Sequence, residues 1–81
     1  MTTVEELKTF LDSMMQDYSL PRNVRKAAET IKTILQDTNK PKDLRKADAL
    51  EILDSLADDP NVPLHARTII WNVIGAVEAL A

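Results

Sequence analysis

Prolines at positions 21, 41, 60 and 63 limit most strongly how this chain can fold. Proline has no backbone N–H and clashes with the preceding turn, so it does not lie inside a regular helix. Each segment between these prolines carries apolar residues at helical spacing. The sequence therefore predicts four helices, over about residues 3–18, 21–37, 41–58 and 63–80, within one domain that covers residues 1–81.

Short connections favour antiparallel packing of successive helices, so we predict an all-α fold, a compact antiparallel four-helix bundle with proline-marked corners. The alternative is a HEAT-like right-handed helical stack, because Val24-Arg25-Lys26-Ala27 and Leu44-Arg45-Lys46-Ala47 are similar to part of a HEAT repeat. HEAT units contain two helices in roughly 40 residues, whereas each unit here has one helix in about 20, which favours the bundle. The predicted core follows helical stripes: Val4, Leu7, Phe10, Leu11, Met14, Met15, Tyr18; Val24, Ala27, Ala28, Ile31, Ile34, Leu35; Ala49, Leu50, Ile52, Leu53, Leu56, Ala57; Ala66, Ile69, Ile70, Val73, Ile74, Val77, Leu80.

The three corners between helices repeat one pattern, D-x3-P-x3-R. An aspartate that closes a helix is disfavoured by the helix dipole, so we expect the N-terminus of the next helix or its arginine to compensate the charge. Ser19, Asn39 and Asn61 precede the prolines by two residues and are expected to cap a helix or to form an Asx-type turn. The predicted corner ion pairs are Asp17 with Arg25, Asp37 with Arg45, and Asp59 with Arg67.

The chain lacks the residues that most catalytic sites need. It has no cysteine, which excludes thiol catalysis and cysteine-held metals, and its single glycine, Gly75, excludes glycine-rich phosphate loops. His65 has no nucleophile or metal motif beside it, so we interpret it as a capping or packing residue. Asp58 and Asp59 lack the oxygen array of a cation loop and are interpreted as solvated acids. We predict no enzyme activity, no catalytic residue, no metal and no cofactor.

A second apolar patch lies outside the predicted core stripe of helix 4. It contains Leu64, Trp71 and Gly75, and the glycine would permit close approach of another backbone. This patch predicts an interface with a second copy or with another protein. The alternative is that the indole of Trp71 lies over the edge of the core.

The charge distribution suggests a different partner. Residues 22–46 carry eight basic and three acidic side chains, although the whole chain has a net charge of −3. Basic residues at two helix N-termini could bind phosphate, which gives the alternative function of an RNA- or ribosome-associated factor. The acidic total, the absence of a nearby aromatic platform and the expected location of the two clusters at opposite ends favour ion pairing within or between subunits instead. The candidate contacts are Arg22, Arg25, Lys26, Lys42, Arg45 and Lys46.

The N-terminus MTTVEELKTF has no basic start followed by an apolar run, and no segment approaches the roughly 20 apolar residues of a membrane span. We therefore expect a cytoplasmic protein with no membrane contact.

The stretches SLPRNVRKAA and, above all, NVPLHARTIIWNV resemble a family of small archaeal proteins, uncharacterised protein family one hundred and forty-seven. The resemblance covers nearly the whole chain. It implies an archaeal, cytoplasmic origin and an all-helical fold, and it implies no activity or catalytic residue.

The function expected from the sequence is that of a non-enzymatic interaction or structural module, self-associating as a homodimer.

Overall fold

Four α-helices make up the protein in the computed structural model, which describes residues 3–80. They are α1 (Val4–Met15), α2 (Arg22–Gln36), α3 (Lys42–Ala57) and α4 (Leu64–Glu78), and no strand occurs in the described range. Each helix packs on the next along the chain, and α1 makes a smaller contact with α4, within overall dimensions of 32 × 22 × 22 Å. The predicted all-α, four-helix fold is confirmed, whereas the antiparallel order and the HEAT-like alternative stay predictions.

A capping box begins α1, as the spacing of Thr3 and Glu6 indicates. The Thr3 hydroxyl accepts a hydrogen bond from the Glu6 amide at 3.1 Å, and the Glu6 carboxylate accepts one from the Thr3 amide at 3.3 Å. These bonds satisfy two polar groups that the first turn leaves without helical partners. The helix ends at Met15, three residues before the predicted end, because the chain turns at Asp17.

The other three helices begin one residue later than predicted. Pro21, Pro41 and Pro63 each precede a helix as its N-cap, with φ values of −57°, −58° and −65° that suit the proline ring. No side chain caps these N-termini. Proline therefore sets where α2, α3 and α4 start by its fixed φ rather than by a side-chain hydrogen bond.

Sixteen buried apolar residues form the core, and no polar residue in the described range is buried with them. Leu20 and Val62 belong to this core although they lie in corners, directly before Pro21 and Pro63. The helical stripes missed both, since corner residues have no helical period. The buried set is Leu7, Leu11, Met14, Leu20, Val24, Ala28, Ile31, Leu35, Ala49, Leu53, Val62, Ala66, Ile70, Val73, Val77 and Leu80.

Phe10 and Tyr18 were predicted in the core stripe of helix 1, and both are exposed. Tyr18 lies beyond the last residue of α1, so helical periodicity no longer determines where its ring points. Phe10 lies at the margin of the stripe that Leu7, Leu11 and Met14 bury. The core of α1 is therefore narrower than the sequence pattern predicts.

Candidate functional site

The repeated corner pattern forms the same hydrogen bonds three times. Each corner aspartate accepts a bond from the backbone amide two residues later, at 2.9–3.0 Å, which is an Asx turn. Its own carbonyl accepts a bond from the amide three residues later, at 3.1–3.3 Å. The aspartates thus stabilise the turn through backbone groups: Asp17 with Ser19, Asp37 with Asn39, and Asp59 with Asn61.

The corner arginines also bind backbone atoms. Each donates a bond to the carbonyl of the residue before the proline: Arg25 to Leu20 at 3.3 Å, Arg45 to Lys40 at 3.1 Å, and Arg67 to Val62 at 3.2 Å. Arg45 also donates to the Leu35 carbonyl at 3.0 Å, at the C-terminal end of α2. A guanidinium is well suited there, because the last carbonyls of a helix lack partners and carry partial negative charge.

The predicted corner ion pairs are therefore wrong. Neither Asp17 with Arg25, nor Asp37 with Arg45, nor Asp59 with Arg67 forms a salt bridge in the structure. Within residues 3–80 the ion pairs join Lys8 to Glu5, Lys32 to Asp12 and Lys40 to Asp48. Backbone amides already donate to the aspartates, and backbone carbonyls already accept from the arginines, although the Nε atom of Arg67 is buried without a hydrogen-bond partner. The charged side chains of the corners are thus held mainly by bonds to the main chain.

His65 contacts the first corner rather than a reactive partner. Its Nε2 atom lies 3.2 Å from the carbonyl oxygen of Ser19, which joins the start of α4 to the turn between α1 and α2. The hydroxyl and the amide of Ser19 both donate to the Asp17 carboxylate, and they hold the pKa of Asp17 below its usual value, with a smaller contribution from His65. The group consists of a turn and the histidine that packs on it.

The basic residues fall into two groups, one at the start of α2 and one at the start of α3, where Arg45 contacts the C-terminal end of α2. Arg22, Arg25 and Lys26, at the start of α2, line an open polar pocket of about 290 Å³ together with Met15, Gln16 and Glu29. Tyr18 is 78% exposed, and the guanidinium carbon of Arg25 lies over its ring, 4.7 Å from the ring centre. The sequence interpretation that no aromatic platform lies near the basic residues is wrong at this end, since Tyr18 is not in the core.

The second basic group holds the end of α4. Lys46 donates from Nζ to the carbonyls of Glu78 at 3.3 Å and Leu80 at 3.1 Å. Arg45 donates to the carbonyls of Lys40 and Leu35. Lys42 is exposed beside them. Because two of the three cations already bind helix ends, this group has a mainly structural role.

The most unusual surface of the protein is the outward face of α4, formed by Leu64, Thr68, Trp71 and Gly75. It lies across the helix from the buried stripe of α4. Leu64 is 69% exposed and Trp71 is 51% exposed. About half of the Trp71 surface is open to solvent, and the interface and core-edge interpretations of its indole both stay predictions.

No contact within residues 3–80 requires glycine at position 75. It lies inside α4 with ordinary helical backbone and no positive φ, so its conformational freedom is not needed. A Cβ built on it would meet nothing within 4 Å, so no neighbour requires it to be small. Glycine inside a helix costs about 1 kcal/mol relative to alanine. Nothing within the described chain offsets that cost.

A cleft lies between α1 and α4, beside the outward face of α4. It has a volume of about 200 Å³ and is lined by Leu7 and Phe10 from α1, Val73 and Ala76 from α4, with Glu6 and Asn72 at its rim. A wider groove of about 560 Å³ between α2 and α3 has a charged rim that includes Lys40, Asp48 and Glu51. The smaller cleft is therefore the more apolar of the two in its lining residues.

Neither a metal centre nor a membrane helix is found among residues 3–80. No three histidine, aspartate or glutamate side chains come together as ligands there. None of the described helices has the length and apolar character needed to cross a membrane.

The sequence and the fold of this chain are both similar to those of proteins from one family. Residues 1–80 match the model of an uncharacterised protein family, UPF0147. A UPF0147 protein of Pyrococcus furiosus is 44% identical, over 99% of this chain and 91% of that protein. A crystal structure of a UPF0147 protein from Thermoplasma acidophilum has a TM-score of 0.88 and 44% identity, covering 95% of this chain and 91% of that one. Another crystal structure, of the unknown-function protein MMP1188, has a TM-score of 0.84 and 32% identity, covering 96% and 89%. The Pyrococcus and Thermoplasma relatives are archaeal, and this chain belongs to the UPF0147 family.

Proposed function

We propose that this protein is a non-enzymatic helical interaction module that self-associates through the outward face of α4. The observation that carries the proposal is the exposed apolar surface formed by Leu64 and Trp71 around Gly75, whose hydrogen no neighbour within 4 Å requires, with Glu78 at its edge. Aromatic residues of this kind are enriched at interfaces and dominate their energetics. The corner arginines and Lys46, by contrast, are occupied by bonds within the chain.

The charge pattern of α4 supports the same surface. The chain is 28% charged, yet α4 carries only Arg67 and Glu78, and the ten positions between these two have no charge. A helix face turned permanently to water ordinarily carries charged residues. On this face Leu64, Thr68, Trp71 and Gly75 are uncharged and Glu78 lies at the edge, as in an interface with a charge-depleted centre and a polar rim.

The size of the chain gives a reason for self-association. A domain of 81 residues buries only about 60 to 65% of the surface of its unfolded chain, so its stability alone is modest. A stable interface takes roughly 800 Å² from each partner, and the 32 × 22 Å side of this molecule has a comparable extent. Association through α4 would therefore add considerably to a small core.

Light scattering across a dilution series, at low and high salt, tests the proposal with wild type and Trp71→Ala. We expect a dimer that high salt leaves intact, because the contact is apolar, and a dissociation constant raised by about thirtyfold or more in the variant. Leu44→Ala is the matched control, since Leu44 is also exposed but lies on α3. Wild type that stays monomeric throughout, or equal effects of the two variants, would refute the α4 interface.

A second candidate function, RNA contact, draws on the first basic group. Tyr18 offers an open ring face beside Arg22, Arg25 and Lys26, and aromatic rings among cations bind single-stranded nucleic acids by stacking and charge. Anisotropy of a labelled single-stranded RNA tests it. Binding that falls steeply with salt and is lost in Tyr18→Ala, but kept in Lys42→Ala, supports this candidate. Equal losses in both variants, or no binding, would count against it.

A further inference from the structure

We infer that the cleft between α1 and α4 receives the Trp71 indole of a second copy, in a two-fold symmetric dimer. This inference rests on the proposed function and specifies the contact by which it operates. At helical spacing, Trp71 and the cleft-rim residue Asn72 are both neighbours of Thr68 and Gly75, so only these small residues separate the indole from the cleft on the surface of α4. A two-fold interface uses the same surface on both subunits, so the projecting group and its receiving cleft must be neighbours. That condition is met here.

The cleft suits an indole in size and in chemistry. Its volume of about 200 Å³ admits one aromatic side chain, and Leu7, Phe10, Val73 and Ala76 offer an apolar lining. The indole N–H needs an acceptor once it leaves water. The Glu6 carboxylate at the rim can supply one, because its bonds to Thr3 use only one of its two oxygens.

Gly75 supplies the close approach that this contact needs. Around α4, small side chains occupy the surface between Trp71 and the cleft: Thr68, Gly75 and Ala79 are exposed there. A neighbouring helix can lie close against such a surface, which brings each indole within reach of the other subunit's cleft. The same contact gives the glycine a role that the monomer does not.

The wider groove between α2 and α3 is a poorer receiver. Lys40, Asp48 and Glu51 line it, and the Lys40–Asp48 ion pair lies there at 3.6 Å, so an apolar ring would have to displace water from charged groups. That groove is also built from helices other than α4. Insertion of an indole there would join unlike surfaces and produce open chains of subunits rather than closed dimers.

A mixing experiment tests the contact. Trp71→Ala removes the projecting group and keeps the cleft, whereas Ala76→Leu fills the cleft and keeps the indole. Each variant alone is expected to have a dimer dissociation constant at least tenfold higher than that of wild type, because both indole–cleft contacts of its dimer are lost. Sedimentation of an equimolar mixture is expected to show that association is partly recovered. In the heterodimer, one of the two contacts pairs an intact indole with an open cleft.

The outcomes separate this inference from the proposed function. Suppose that wild type self-associates and that Trp71→Ala weakens this association. If Ala76→Leu then behaves as wild type, or if the mixture does not associate more strongly than either variant, the cleft contact is overturned and the α4 interface stays in place. A monomeric wild type overturns both. Phe10→Ala is a second cleft variant. Phe10 is exposed, so removing its ring widens the cleft without removing a side chain from the buried core. Its effect should be non-additive with that of Trp71→Ala if the two side chains meet across the dimer.

The chain's single tryptophan provides an independent readout. Trp71 fluorescence should be readily quenched by acrylamide in dilute protein and become protected as concentration rises through the dissociation constant. Mass that continues to grow beyond the dimer would contradict the closed, two-fold arrangement. Quenching that stays constant while the dimer forms would contradict insertion of the indole.

Discussion

The guanidinium of Arg67 donates from Nη2 to the backbone carbonyl of Asp59 at 2.8 Å, whereas the carboxylate of Asp59 accepts a hydrogen bond from the backbone amide of Asn61. The same division occurs in all three corners: the acid stabilises the turn and the base satisfies carbonyls. The corner is thus held by bonds to the main chain. This relationship determines how substitutions at the corners should behave.

Arg67→Met should lower the free energy of unfolding by about 1–3 kcal/mol, because it leaves the carbonyls of Asp59 and Val62 without their partly buried donor. Chemical denaturation measures the change. Arg22→Met is the control and should stay within about 0.5 kcal/mol of wild type, since Arg22 is exposed. Equal losses from the two substitutions would show that the carbonyl contacts contribute nothing.

Asp59→Asn and Asp59→Ala should differ. An asparagine side chain keeps the oxygen that accepts from the Asn61 amide, whereas alanine removes it and should cost about 0.5–1.5 kcal/mol. Thermal unfolding of both variants gives the comparison. If Asp59→Asn is as unstable as Asp59→Ala, the negative charge matters and the Asx turn is not the main role of this residue.

The carboxyl group of Asp17 should titrate below the pH range usual for aspartate, because the hydroxyl and amide of Ser19 donate to its charged form. A pKa that is lower in the folded than in the unfolded chain gives stability that is present above the unfolded value, near 4, and lost as pH falls through the folded value. NMR titration should show the Asp17 pKa rising in Ser19→Ala. An unchanged pKa in that variant would exclude the hydroxyl as its main cause.

Lys46→Met should loosen the end of α4, because the ammonium group binds the carbonyls of Glu78 and Leu80 where the helix dipole favours a cation. We expect a loss of about 0.3–1 kcal/mol and faster amide exchange in the last turn of α4. Lys42→Met is the matched control, from the same turn of α3 and exposed to solvent. Faster exchange in both variants, or in neither, would argue against the contact.

Gly75→Ala should change folding and association in opposite directions. The monomer should gain about 0.5–1 kcal/mol, because alanine favours helix and its methyl group meets open space. The dimer should weaken, because the added methyl separates the two faces. Denaturation below the dissociation constant and sedimentation above it measure the two effects, and a more stable dimer would contradict close approach at Gly75.

The sequence determined the helices and most of the core. The prolines and the apolar period place all four helices within a few residues of their observed bounds, because both act locally along the chain. The buried residues of α2 all fall in the predicted stripe, and Leu44 is exposed where it falls out of phase. The recurrence of the D-x3-P-x3-R pattern also identified the three corners as equivalent units before their bonds were visible.

Tertiary structure decided which atoms meet. Whether Asp59 faces a guanidinium or an amide depends on angstrom-scale geometry of the turn, and side-chain charge alone predicted the wrong partner. Burial of Leu20 and Val62 depends on how corners fold back over helix ends, which has no period in sequence. The helical period already placed Trp71 outside the core stripe, but the cleft between α1 and α4 arises only when these helices lie side by side, because it belongs to neither one alone.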